Sequence, residues 1–209
     1  MTTHLRSGDR GQAFPIYVVA LVGLLFAALA FFVVGQASVT RSNAQGAADA
    51  AALAAARDAR DHLLPGLDLA LLKPEEWEDV LGGKRLFLEG GCDVAPGFAA
   101  LNDATATCKR SAFSFTVEVT TNGTVGESVI PGTASMHGTA NATALIEPRC
   151  HLGSPPAPTG SPDPADAGVE KPEATKIRCK GGKEVEFDPL KPTPWRTLAR
   201  TLFDVRLTD

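Results

Sequence analysis

Phe14–Gly35 reads FPIYVVALVGLLFAALAFFVVG, and no charged residue stands between Gly11 and Thr40. A helix crosses roughly 30 Å of bilayer hydrocarbon with about 20 apolar residues, so this stretch is long enough to span a membrane. A secretory signal has a shorter apolar core, about 7–15 residues, followed by a small-residue cleavage site. The best such site here, Gly35-Gln36-Ala37, matches poorly. A buried core helix rarely lacks polar residues on every face, and this run has none. The expectation is a transmembrane helix over 12–37, preceded by a short tail over 1–11. Everything after it is then held at a membrane surface.

Flanking charge sets an expected orientation. Arg6 and Arg10 crowd the tail, whereas Arg41 stands alone just beyond the span. Basic residues favour the cytoplasmic side. All four cysteines, Cys92, Cys108, Cys150 and Cys179, follow the span. An even set confined to one side suits disulfides in an oxidising exterior. The expected location is therefore the cell membrane, single-pass, with a cytoplasmic N-terminus and an extracytoplasmic C-terminal domain. Of the three possible pairings, Cys92 with Cys108 and Cys150 with Cys179 closes the shortest loops. Each bridge is worth about 3 kcal/mol where its geometry is unstrained. The competing use, a metal site including Cys150-His151, lacks the close C-x-x-C spacing of structural zinc.

Ala44–Arg60 reads AQGAADAAALAAARDAR, and no proline interrupts before Pro65. Alanine is the best helix former, so the helix is expected to leave the membrane and continue over 38–64. Small residues at Gly46, Ala47, Ala50, Ala51 and Ala54 would let a neighbouring helix approach closely. An alanine-rich stalk chosen for propensity alone fits the same spacing.

The tail ending Asp9-Arg10-Gly11, the apolar run and the AADAAALAAA core at 47–56 together resemble the N-terminal region of Tad/Flp pilus-assembly proteins, the TadE/TadG-like group of actinobacteria. The resemblance covers about the first 60 residues and the remainder only in layout. It implies a membrane protein whose partners are the lipid bilayer and other pilus-assembly proteins or pilin-like subunits, met through the N-terminal helix. It also marks Gly11 and Gln12 as the two sides of a prepilin-type cut. Tyr17 matches the processing pattern, but Ile16 stands where a prepilin has glutamate. In a pilin that glutamate would pair with a neighbouring subunit's terminal amine, which an isoleucine cannot do. The implied role is an uncleaved, anchored structural or accessory component.

The fold class expected is α+β, with a long transmembrane and stalk helix followed by a small, disulfide-stapled, β-rich domain. Its parts are 65–152, a Pro-rich loop over 153–176 and a C-terminal part over 177–209. Glu75–Leu81 reads as a short helix ended by Gly82-Gly83, with Trp77 and Leu81 inward. Phe113, Phe115, Val117 and Val119 alternate with polar residues as a half-buried strand. Asn122-Gly123 signals a tight hairpin, although a two-residue loop there opposes Glu118 to Glu127. The small residues alternating over Ala134–Ala144 suit close packing on the long helix. Ser154–Ala174 holds six prolines and cannot bury a core. Thr193 is a candidate N-cap before Pro194. Trp195, Leu198, Ala199 and Leu202 form an apolar stripe, and Phe203, Val205 and Leu207 a last strand.

No G-x-S-x-G, H-E-x-x-H, Walker glycine loop or C-x-x-C is present, and the four histidines build no triad. His137 falls on a polar strand face without a catalytic partner. A formal charge of −4 with no basic cluster argues against nucleic acid. No enzyme, cofactor or metal is expected. The sequons at Asn122 and Asn141 are incidental. The alternative to pilus assembly is an anchored extracytoplasmic domain binding a ligand or cell-wall component. A secreted chain with an atypical signal is the third reading.

Overall fold

The computed structural model describes residues 13–65, 67–69, 71–84, 86, 88–128, 131–153, 175–188, 191 and 193–208. Helix α1 runs unbroken over Ala13–Asp61, 49 residues, or roughly 74 Å at 1.5 Å per residue. Helix α2 spans Pro74–Leu81, α3 Ala95–Ala100 and α4 Trp195–Leu202. The strands are β1 (Ala104–Ser111), β2 (Ser114–Thr124), β3 (His137–Pro148), β4 (Cys150–Leu152), β5 (Thr175–Cys179), β6 (Lys183–Phe187) and β7 (Phe203–Thr208). One antiparallel sheet has the order β1-β2-β3-β7 and a second the order β4-β5-β6. The class is α+β.

The larger sheet lies against the distal half of α1, and the residue types explain how closely. Ala47, Ala48, Ala51, Ala52, Ala55, Ala56 and Ala59 are fully buried in one core with Phe115, Val117, Ala142 and Ala144. A Cβ at Gly138 would lie 2.5 Å from the Thr40 carbonyl oxygen, so only glycine fits there. Gly91 is held as tightly: an added Cβ would sit 2.6 Å from Phe115 Cε1 and 2.8 Å from the Ala55 carbonyl oxygen, and its φ is +80°. Both positions show why the helix is rich in alanine on this side. Larger side chains would push the sheet away.

The two central strands run along the helix. Phe115 meets the helix at Ala55 and Ala59 through Gly91, whereas Gly126 lies beside Gln36, whose Oε1 an added Cβ would approach to 3.6 Å. On β3, Gly138 abuts Thr40, and Gln45 Nε2 donates to the Asn141 carbonyl at 3.4 Å. The eleven steps from Phe115 to Gly126, mostly strand β2, cover at most roughly 36 Å. The helix between those levels covers roughly 31 Å. The β2–β3 pair therefore tracks α1 from near its end back toward the apolar run.

Alternation over Phe115, Val117 and Val119 places all three inside. The turn inferred at Asn122-Gly123 is corrected. The chain stays extended there, and β2 pairs with β3 across an irregularity between Thr120 and Thr124. Thr121 explains it: its hydroxyl accepts from Gly138 N–H at 2.9 Å and donates to the Gly123 carbonyl at 2.7 Å. That bridge absorbs the extra residues as a bulge. Glu118 then faces Asn141, not Glu127. The tight turn lies instead at Ala112-Phe113, between paired Ser111 and Ser114, with Ala112 at φ +48°.

The second sheet is fixed at its edges. Cys150 and Cys179 are opposed in the β4–β5 register and bridged. Trp77 of α2 packs on Phe187 of β6 with ring centroids 5.2 Å apart. Trp77 and Leu81 are buried, as the helix reading required. The N-cap of α4 falls on Pro194 rather than Thr193, and no side chain caps it. Proline's extended ψ of 131° there leaves Trp195 as the first helical residue. Leu198, Ala199 and Leu202 are buried, while Trp195 is 37% exposed. The Pro-rich loop expected over 153–176 is shortened by the structure, because β5 starts at Thr175 and Gly153 N–H donates to the Lys176 carbonyl at 2.9 Å. Its interior, 154–174, lies outside the described residues.

Candidate functional site

The functional candidate is α1 itself, which has two halves of different character. From Phe14 to Val34 nearly every large side chain is exposed, from 43% at Val18 to 84% at Phe31. Only Val33, 6% exposed, departs from this. By length and composition this half suits a membrane crossing. Beyond it, the face through Thr40, Ala44, Ala47, Ala51 and Ala55 is covered by the chain's own domain.

That covering corrects the helix-packing expectation. Ala47 and Ala51 are fully buried within the chain's own core and Ala54 is 7% exposed, so none of the three is open to a neighbouring helix. The physical reason is that the sheet, not a second helix, takes the small-residue face. Ala50 is half-buried, and Gly46 is exposed with open space around it. Gly11 and Gln12 lie outside the described residues.

All four cysteines pair sequentially, Cys92 with Cys108 and Cys150 with Cys179. The first bridge joins the segment before α3 to β1, and the second staples the small sheet. With Cys150 bridged, His151 has no thiolate beside it for a metal. Among the described residues no cluster of three His, Cys, Asp or Glu side chains stands ready for a metal ion.

The distal end of α1 is locked by charge, a feature that escaped the sequence reading. Asp61 receives hydrogen bonds from Arg60 and, in a fork, from Arg200 of α4. Burial alone would raise the Asp61 pKa. The hydrogen bonds from Arg200 and Arg60, with their charges, outweigh it and hold the carboxyl below its ordinary value of 3.8. The same contact raises Arg200. Nothing local announces this pair, which is separated by 139 positions. Asp58 similarly accepts from Gly91 N–H at 3.3 Å. On β3 and β7, the hydrogen bond from Arg206 lowers the Glu147 pKa.

Beside α2 lies an open cleft of about 560 Å³, lined by Leu67, Asp68, Leu71, Leu72, Val80 and Lys84 among others. His137 Nδ1 contacts the Thr121 carbonyl at 2.7 Å, which ties that ring to the bulge.

These features define a class: an α+β domain with two disulfides, carried on one long helix whose proximal half is apolar enough to cross a membrane. Residues 11–58 match the family model described as putative Flp pilus-assembly TadE/G-like, and this N-terminal segment is similar to that family. The matched segment is the helix, bare and covered halves together, and the β-rich domain lies beyond it. Comparison with curated proteins and with solved structures gives no match.

Proposed function

We propose that this chain is an anchored structural or accessory component of a Tad/Flp-like pilus assembly or related secretion apparatus, and that it works by assembly rather than catalysis. The observation that carries the reading is the single 49-residue helix matching the TadE/G-like family, bare over its apolar half and covered beyond it. The apolar half crosses the cell membrane once with the N-terminus cytoplasmic. The disulfide-stapled domain stands outside, where oxidising conditions keep both bridges closed. The helix face that the domain leaves open, at Gly46, is available to other assembly components. Uncleaved anchoring follows from Ile16, which cannot make the charged pairing of a filament subunit.

The test is in vivo crosslinking from a photoreactive residue at Gly46, with a matched one at exposed Lys183, in cells that express the pilus apparatus. Adducts to pilus-assembly proteins from position 46 and loss of piliation on deletion support the role. Normal pili in the deletion strain, with no adducts from either position, would sink it. Protease added outside spheroplasts should digest the domain and spare the tail.

A further inference from the structure

From the course of the β2–β3 pair along α1, we infer that the described ends of the connection between these strands, residues 125–128 and 131–136, rest in the headgroup layer of the bilayer as a second membrane contact. The inference relies on the anchored reading above and adds a lipid-facing site in the β-rich domain.

The geometry leads there step by step. Phe115 lies level with Ala55 and Ala59, Gly138 with Thr40, and Gly126 with Gln36, so the strand pair descends toward the apolar half. Its connecting end stops beside Gln36, one helical turn from buried Val33. Twenty residues from Phe14 reach Val33, and about 20 residues fill the hydrocarbon thickness. The turn between Val33 and Gln36 rises only about 4.5 Å, within a headgroup layer of roughly 5–7 Å per side. A domain ending at that level cannot avoid the interface.

The chemistry agrees with the position. The connection contains one charged residue, Glu127. Met136 is 57% exposed, and Pro131 and Ala134 are exposed beside it. The backbone under these side chains is well tied: Val125 N–H donates to the Met136 carbonyl at 2.9 Å, Ser128 and Thr133 share a hydroxyl contact at 2.9 Å, and Thr133 is buried. An apolar side chain at Met136, whose backbone is tied to Val125, meets the boundary between headgroups and acyl chains at this depth.

The experiment places a nitroxide at Met136→Cys, Leu24→Cys or Lys183→Cys in the full chain, one at a time, in phospholipid nanodiscs. Collision with oxygen, which concentrates in lipid, is compared with collision with a water-soluble nickel chelate. Position 136 should favour oxygen over nickel several-fold more than position 183, and position 24 more strongly still. If 136 matches 183 while 24 remains lipid-like, the connection lies in water; the inference fails and the anchor stands. If 24 is itself open to nickel, the anchor fails and the inference with it. Spin–spin broadening at 136 would assign the surface to a second copy and overturn the lipid contact. Should Met136→Cys misfold, Ala134→Cys reports on the same turn.

Discussion

At the scale of single residues, the domain depends on positions where one atom decides the contact. Gly138→Val would drive a side chain into the Thr40 carbonyl, 2.5 Å from where its Cβ must go. Overpacking of this kind costs about 1–3 kcal/mol, read as a lower denaturation midpoint of the purified chain. Asp61→Asn should destabilise by roughly 1 kcal/mol at neutral pH, since it removes a charge-assisted contact whose partner Arg200 is partly solvated. The sign with pH follows from the lowered pKa. The Asp61 contribution is complete well above 3.8, its ordinary value, and is lost as pH falls through the still lower folded value. Melting temperatures of wild type and Asp61→Asn should thus converge in strong acid and separate toward neutrality. Parallel curves across the whole range would contradict the assignment.

Elements show how far the sequence could be read. Helix α1, α2, the inward face of β2 and the last strand β7 were legible, because each writes its period or its caps into adjacent residues. Both disulfides were legible from loop length alone. The fate of Asn122-Gly123 was not, since a hydroxyl at Thr121 and an amide at Gly138 decide it from separate strands. Strand β1 carries few large apolar residues, and β5 and β6 lie in charged sequence, so their pairing rests on partners rather than pattern. The small-residue face of α1 was recognised as a packing face, but its partner proved to be the chain's own sheet. Alanine spacing specifies closeness, not identity. At this scale the Cys92–Cys108 bridge ties the segment before α3 to the edge strand β1. Cys92→Ser should cost about 3 kcal/mol, a fall of roughly 6–12 °C in the melting temperature. An identical melt with and without reductant would show that neither bridge bears on stability.

For the whole molecule, the decisive test concerns the bare half of α1. Asp at both Leu24 and Leu25 places two charges at mid-span, each opposed by about 3 kcal/mol. The double variant should leave the membrane fraction, and unchanged resistance to alkaline carbonate extraction would refute the anchor. The family match reaches to residue 58 and so takes in both halves of the helix. The β-rich domain lies beyond the matched residues, and its contacts rest on packing that no local motif displays.

Because α1 has no break between Phe14 and Asp61, and its distal half is bonded to both the sheet and α4, there is no joint between its bare and covered halves. If the bare half is held in a bilayer, as proposed above, the chain acts as a lever with its fulcrum there. The arm from Val33 to Asp61 is roughly 42 Å long, so a 10° tilt of the buried part sweeps the far tip by about 7 Å. A push on the bare half is thus felt at the far end, where Asp61 meets Arg200 of α4.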